Sequence, residues 1–343
     1  MSTPLVTVFI PVYNAQNYIE SSLNSIINQS YKKLDILVID DGSSDNTLEI
    51  LKAFRSQDNR IRILENENNK GIPYTRNRGL NNAKGEYLAV MDADDIAFTD
   101  RIKEQVSFME IYKNIDVVGC NFIELGKKLF YKKKSKFYDP EELKIRLLFA
   151  SPIANPSSMI RMSTIKYNNI KYDENYFVAQ DYDFWFKISK VGNFAIVPKF
   201  LMKYRVDHNN ISNQTRKNKA LARRKVIQEI HTKKLNYYGF KLDEKAYREF
   251  LFFFDDNNNI NNYKIDISEL ASKMIRINEN NNVFAKDKFK RVLFYSFSIK
   301  IGNLNIPLMQ KIFIYFALLN RTKFINIKEL LRIIIKHYYF KLN

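Results

Sequence analysis

Leu34-Asp35-Ile36-Leu37-Val38-Ile39-Asp40-Asp41-Gly42-Ser43-Ser44 is a short apolar run that stops at two carboxylates, turns at a glycine and enters an amphipathic segment. Such a run reads as a buried strand handing the chain to a helix. The same unit recurs on both sides. Residues 5–10, 61–64 and 87–91 are further candidate strands, and helix-length amphipathic segments near 16–27, 44–55 and 73–83 lie between them. This alternation predicts an α/β protein with an open, mostly parallel sheet and helices on both faces. Each strand ends where a loop begins, and in open sheets of this kind ligands bind at that carboxyl edge. Asn14, Ser44 and Thr99 are expected to cap successive helices, the last over 100–112, because a short side-chain oxygen accepts from an orphan helix amide.

Further along, 116–120 reads as another strand, and 127–136, with six lysines, as an exposed loop or hairpin. Pro152, Pro156, Gly192 and Pro198 separate short elements, among them a helix over 183–191 that carries the only tryptophan, Trp185. Beyond Asn213 proline and glycine become scarce, and helical segments are joined by asparagine-rich loops at 257–262 and 278–282. The chain has 343 residues, and at ~150 residues per domain about two domains are expected. Their boundary is placed near 214, with an α/β body in 1–214 and a basic, mainly helical domain in 215–343.

The charge agrees with that division. Of the formal +18, residues 1–214 hold 29 basic and 26 acidic side chains, and residues 215–343 hold 26 and 11. A near-neutral body followed by a strongly basic tail suits an anionic surface, although coding biased toward Lys, Asn and Ile would produce part of the excess. One cysteine, Cys120, excludes an intramolecular disulfide and fits a reducing, cytoplasmic setting. The first residues lack a basic n-region and read as a strand, not a signal. No stretch reaches the ~20 apolar residues of a membrane span. Residues 308–319 and 327–340 mix apolar and basic side chains, which suits helices lying on a membrane surface or ordinary core-facing ones.

Chemistry concentrates at two acidic clusters. Asp40 and Asp41 close their strand beside a turn, where a carboxylate can accept from a ligand's N–H or hydroxyl groups; a plain turn with an N-cap explains them equally well. Met91-Asp92-Ala93-Asp94-Asp95 places three carboxylates in four residues, a costly arrangement unless a cation or donors neutralise it. Mg²⁺ takes one or two carboxylates and completes its shell with water and phosphate oxygens. On an extended segment Asp92 and Asp94 face one side and Asp95 the other. Between the clusters, Gly71-Ile72-Pro73-Tyr74-Thr75-Arg76-Asn77-Arg78-Gly79 sets proline at a first helical turn. Arg76 then lies near the sheet edge, where a guanidinium pairs with phosphate or a base, and Arg78 is expected in solvent.

Four pieces in order resemble the family-2 glycosyltransferases of the GT-A fold: Val8-Phe9-Ile10-Pro11-Val12-Tyr13-Asn14, Asp40-Asp41-Gly42-Ser43, Gly71 with Arg76-Asn77 and Gly79, and Gly85-Glu86-Tyr87 leading into Asp92-Ala93-Asp94-Asp95. Gln180-Asp181-Tyr182-Asp183-Phe184-Trp185 and Tyr204-Arg205-Val206-Asp207-His208 extend the likeness to about residue 212. The resemblance implies that Pro11 and Tyr13 line a nucleotide base, that Asp41 with Asp40 accepts from it, and that Arg76 fixes the nucleotide. It implies Asp92 on the ribose or sugar, Asp94 and His208 at a Mg²⁺ or Mn²⁺ bridging the diphosphate, and Asp181 as general base. Gln180 stands where the family commonly has glutamate, which leaves the base in place and removes one negative charge beside it.

The implied activity is an inverting, metal-dependent transfer of a sugar from a nucleoside diphosphate, UDP above all, to a glycan or lipid-linked acceptor in cell-surface polysaccharide synthesis. Three other readings compete: a nucleic-acid binder acting through the basic tail, which gives no reason for Asp92, Asp94 and Asp181; a non-catalytic nucleotide-sugar sensor; and a nucleotidyltransferase, which needs a Gly-rich phosphate loop that Tyr13-Asn14-Ala15-Gln16 does not supply. No nucleic-acid partner is expected. Asn155-Pro156-Ser157-Ser158 falls at the expected acceptor side or is simply a turn. His231 and His337 are expected on the surface, and Cys120 packed in a strand.

Overall fold

The computed structural model describes residues 3–126, 131–206, 218–254, 266–304, 306–324 and 326–341, with side chains described to 337. The chain divides into two compact units, residues 1–140 with 151–214 and residues 141–150 with 215–343.

The first unit is built on one sheet. Strands β1 (Val6–Val12), β2 (Leu34–Asp40), β3 (Ile61–Glu65) and β4 (Tyr87–Val90) run parallel in the order β3-β2-β1-β4. Beyond β4 the sheet is mixed. Strand β8 (Met159–Arg161) pairs antiparallel with both β4 and β6 (Val117–Leu125), and β9 (Phe194–Arg205) runs parallel to β6. The two-residue β5 (Ile96–Ala97) closes that edge against β9, and β7 (Tyr131–Lys133) pairs with β6, so the lysine-rich segment forms an exposed hairpin arm in its described part. Pro198 does not break β9. It sits in a register shift where Val197 pairs with Cys120 and Phe200 with Asn121, so the residue without an N–H is bulged out of the ladder.

Helices cover both faces because β1 alternates. Val6, Val8, Ile10 and Val12 pack with Ile19, Leu23 and Ile26 of α1 (Ile19–Ile27), Leu51 of α2 (Thr47–Gln57) and Ile102, Val106 and Met109 of α4 (Arg101–Ile111). Phe9 points the other way, under α3 (Ile72–Asn82), where a Cβ on Gly79 would come within 2.6 Å of its ring. Helices α1, α2 and α4 start later than the sequence suggests and α3 one residue earlier, and no side-chain cap is formed by Asn14, Ser44 or Thr99. Asn14 adopts left-handed φ (48°) and turns its amide to the neighbouring loop, and Asp45, not Ser44, accepts from the Thr47 N–H at the start of α2. Cys120 is buried in β6 as expected. After β7 come α5 (Pro140–Arg146), α6 (Met162–Tyr167) and α7 (Gln180–Ser189).

The second unit is helical: α8 (Ala220–Tyr237), α9 (Glu244–Phe253), α10 (Ile267–Asn281), α11 (Lys286–Asn303), α12 (Leu308–Thr322) and α13 (Ile327–Lys341). Asp243 and Asp266 cap α9 and α10 by accepting from Ala246 N and Glu269 N. Residues 141–150 belong to this unit. Phe149 packs among Phe250, Phe254 and Phe297, and Glu142 is paired with Arg291. His231 is buried here and not at the surface, with Nδ1 3.1 Å from the Leu148 carbonyl oxygen and its ring edge-on to Phe250. The lysine-rich sequence of α8 hides the side of the helix that faces inward.

Candidate active site

Parallel pairing places Val12 beside Asp40, so the loops leaving β1 and β2 lie together at the carboxyl edge. They are laced: Asn14 Oδ1 accepts from Ser44 N (2.8 Å), Asn14 N donates to Ser43 Oγ (2.9 Å) and Ala15 N to Thr47 Oγ1 (2.8 Å). Pro11 and Tyr13 stand at the end of β1, with the Tyr13 ring half in solvent. Asp40 and Asp41 are both buried. Asp40 accepts from the Ser43 backbone N–H and hydroxyl, and Asp41 from Asn66 Nδ2 (2.6 Å), Lys70 N (2.9 Å) and Gly71 N (2.9 Å). These carboxylates therefore build the wall first, since three of the roughly four lone-pair directions of Asp41 already meet protein donors. Gly42 is required between them and the 66–71 loop: its φ is +74°, and a Cβ would lie 2.7 Å from the Asn68 backbone.

On the other side of β1, β4 ends at Val90 and residues 91–95 form a turn rather than an extended segment, with Asp95 N donating to Asp92 O. Asp95 consequently points into the protein, where Oδ1 accepts from Arg205 N (2.8 Å). Burial pushes its carboxyl well up, Asp92 and Asp94 add to that, and the Arg205 N–H and Arg101 oppose it. Arg101 is wholly buried behind the turn and donates to the Val90 carbonyl (2.8 Å).

Asp92 keeps 31% of its side chain exposed, yet protein surrounds the carboxyl enough to raise its pKa. Burial is the main cause, Arg76 and Arg101 pull the other way, and the Asp181 charge adds to the rise. The Arg76 guanidinium lies 3.7 Å from Asp92 Oδ1 and 5.5 Å above the Tyr172 ring, and its buried Nε–H has no partner among the described residues. Asp181 enters from α7. Ala179 in left-handed φ (53°) turns the chain, and Asp181 stands in the first helical turn, with Oδ1 accepting from Tyr182 N. Gln180 beside it is buried. The buried phenol of Tyr204, raised by burial, feels Asp92, Asp95, Asp181 and Asp94 together, and Tyr172 feels Asp181 and Asp92. Carboxylates from two separate stretches of chain, 92–95 and 181, thus share one electrostatic neighbourhood.

Among the described residues no group of three or more His, Cys, Asp or Glu is arranged to hold a metal by itself. Asp94 and Asp92 fit a smaller task, one or two carboxylates completing the shell of a Mg²⁺-type ion that arrives with phosphate oxygens and water. His208 lies outside the described residues.

Several contacts of this site escape a reading of the sequence. Tyr172 stacks on Phe184 (3.9 Å between ring centres), and Asn77 fixes its backbone by donating Nδ2 to Tyr172 O and accepting from Tyr172 N. Arg205 donates Nε to the Asp94 carbonyl. Arg78 is not solvated as expected but donates to Glu65 O and Asn66 Oδ1, bracing the loop that holds Asp41. Asn155 opens a 3-10 turn in which Ser157 and Ser158 hydroxyls donate to Ala154 and Asn155 carbonyls, and its own buried Nδ2 has no partner among the described residues.

Residues 7–190 match the sequence model of Glycosyl transferase family 2. The chain belongs to this family. The glycosyltransferase is 34% identical over 251 residues to an uncharacterized glycosyltransferase of Haemophilus influenzae, covering 70% of this chain and 77% of that one. Its fold is similar to Staphylococcus aureus TarS 1–349 in complex with UDP-GlcNAc, with a TM-score of 0.60, 19% identity, and 98% of this chain and 92% of that chain covered. Against a longer TarS chain it spans 54% of that length. The mannosyltransferase PcManGT of Pyrobaculum calidifontis, in complex with GDP-Man and Mn²⁺, is more distant (TM-score 0.50, 15% identity, covering 99% of this chain and 88% of that one). At these identities the structures speak for the fold alone, and they agree with a GT-A-type α/β unit followed by a helical region.

Proposed function

We propose that this glycosyltransferase moves a sugar, with inversion, from a nucleoside diphosphate donor to a hydroxyl of a glycan or lipid-linked acceptor in cell-surface polysaccharide synthesis, working in the cytoplasm or at the inner face of the membrane. The observation that carries this reading is the convergence of Asp181 with Asp92 beside a buried Arg76. UDP-sugar is the favoured donor because the TarS relative is described with UDP-GlcNAc. Tyr13 offers a ring face and Pro11 a flat edge to the base, and Asp40 and Asp41 hold the wall it rests on.

Asp181 takes the proton of the acceptor hydroxyl as its oxygen attacks the anomeric carbon, a contribution of roughly 10²–10⁴-fold. The anomeric C–O bond breaks as the new one forms, and its electron pair leaves on the diphosphate. Arg76, with an unused N–H in a buried setting, stabilises negative charge developing on the donor side. Mg²⁺ or Mn²⁺ held by Asp94 would neutralise the leaving diphosphate. Gln180 orients the incoming hydroxyl without adding charge beside the base.

Donor hydrolysis and transfer, measured over a panel of UDP-, GDP- and TDP-sugars with Mn²⁺, test the proposal. Asp181→Asn is expected to lose at least 100-fold in turnover while UDP still raises the melting temperature, and EDTA or Asp94→Ala to abolish transfer. Full turnover by Asp181→Asn would remove the base assignment.

A further inference from the structure

The last two helices present an apolar face that the rest of their unit does not cover. At about 100° per residue, Lys311, Tyr315, Leu318 and Thr322 share the buried side of α12. The opposite pole carries Met309 (74% exposed), Phe313 (75%) and Phe316 (49%). Helix α13 repeats the arrangement. Ile333 and Glu329 are buried, and Ile327 (69% exposed), Leu331 (52%) and Ile335 (66%) line the outer side at i, i+4 and i+8. A water-facing helix normally keeps its apolar stripe for the core and its polar residues for solvent. Here the outward poles of two consecutive helices are apolar as well, so six large side chains stand where polar ones are expected.

The charge around them has one sign. After Asp287 the sequence holds eleven basic residues and a single acid, Glu329. That acid is buried and paired with Arg332 (3.1 Å), so no carboxylate side chain of α12 or α13 faces water. Arg321, Lys323, Lys328 and Arg332 are exposed. On α13, Lys328 and Arg332 lie on one flank of the Ile327, Leu331, Ile335 line. Neither α12 nor α13 is long enough to cross a bilayer, and among the described residues no helix is long and apolar enough to do so.

We propose that α12 and α13 lie on an anionic lipid surface, with Met309, Phe313, Phe316, Ile327, Leu331 and Ile335 in the headgroup and acyl boundary and Arg321, Lys323, Lys328 and Arg332 at the phosphates. A second copy of this unit fits the face poorly, because 215–343 holds 26 basic and 11 acidic residues and two such surfaces repel. Nucleic acid would satisfy the cations and leave the aliphatic Met, Ile and Leu side chains in water. An anionic bilayer answers both requirements, as interfacial helices with basic flanks do. The inference deepens the membrane part of the function proposed above and needs no turnover. Vesicle binding and sugar transfer can therefore fail independently.

The test is flotation of the full chain with vesicles of phosphatidylcholine alone or with one-third phosphatidylglycerol. Binding is expected to the anionic vesicles only and to fall as salt shortens the screening length. Lys323→Gln with Lys328→Gln should weaken it roughly 25-fold, taking about 1 kcal/mol, or a factor near five, per cation. Phe313→Ser should weaken it about tenfold or more; its exposed position leaves the fold intact, which an unchanged melting curve verifies. Equal binding of neutral and anionic vesicles, or wild-type binding by both variants, would overturn the proposal. So would a dimer in gel filtration that Phe313→Ser dissolves in the absence of vesicle binding, or salt-sensitive RNA binding without any vesicle binding.

Discussion

Arg76 shows how much of this site depends on one buried side chain. It lies over Tyr172 and beside Asp92, and its buried Nε–H, without a partner among the described residues, is a donor open to a ligand. A lysine would keep the charge but lose the planar fork and the ring contact. Arg76→Lys should therefore weaken UDP-sugar binding about tenfold, roughly 1.4 kcal/mol, with a smaller change in kcat; titration calorimetry with UDP checks this, and unchanged affinity would move Arg76 out of the donor site. The acids of this site are legible in the sequence, because a carboxylate at the end of an apolar strand stands out as a cost needing a reason. Their partners are not. Arg101 reads as an ordinary first-turn residue of α4, and only burial behind the 91–95 turn shows that its charge opposes the rise in Asp92 and Asp95. Tyr172 meets Asn77 across 95 residues of chain, a pairing no local pattern carries. Asp41 is legible as a site residue, but its bonds to Asn66, Lys70 and Gly71 make it a builder of the wall before it is anything else.

At the scale of elements, the contact between α3 and β1 is set by Gly79 on the Phe9 ring. Gly79→Ala places a methyl inside that ring's contact distance and should cost 1–3 kcal/mol, about the toll of overpacking a filled core, read as a lower urea midpoint at unchanged slope. Strands β1, β2 and β3 are tied by Asp35, which accepts from Thr7 Oγ1 and from the Arg62 guanidinium. Burial alone would raise its carboxyl, but the Arg62 and Thr7 hydrogen bonds and the charges of Arg62 and Lys84 outweigh burial and lower it. A folded-state pKa below the unfolded one contributes stability that is complete above about pH 4 and drains away as the pH falls through the lower folded value. Urea midpoints between pH 6 and 2.5 should fall more steeply for the wild type than for Asp35→Asn, and parallel curves would show that the tie is not linked to protons. The alternation that decided the fold class is a local pattern, so β1 to β4 were readable from it. The helix starts were not, because the loop oxygens of Asn14 and Ser43 are used between loops rather than within helices.

The whole molecule departs from a simple two-part chain at one segment. A composition shift near 214 is visible in the sequence, yet residues 141–150 belong with 215–343, since Phe149 joins an aromatic cluster formed by Phe250, Phe254 and Phe297. Nothing in those ten residues signals that their partners lie eighty or more positions downstream. The consequence is measurable. A chain cut after residue 214 leaves Leu143, Ile145, Leu147, Leu148 and Phe149, all at most 2% exposed in the full chain, without their unit. At roughly 1.5–3 kcal/mol for each fully buried apolar side chain, the loss is on the order of 10 kcal/mol, comparable with the whole stability of a typical domain. The cut chain should therefore bind an apolar dye such as ANS and associate in gel filtration. Replacing 141–150 in the cut chain with ten Gly and Ser residues should restore a monomer that binds no dye, because the sheet and its helices keep their own core. A cut chain that is already monomeric and silent toward the dye would show that 141–150 finds cover within the first unit instead.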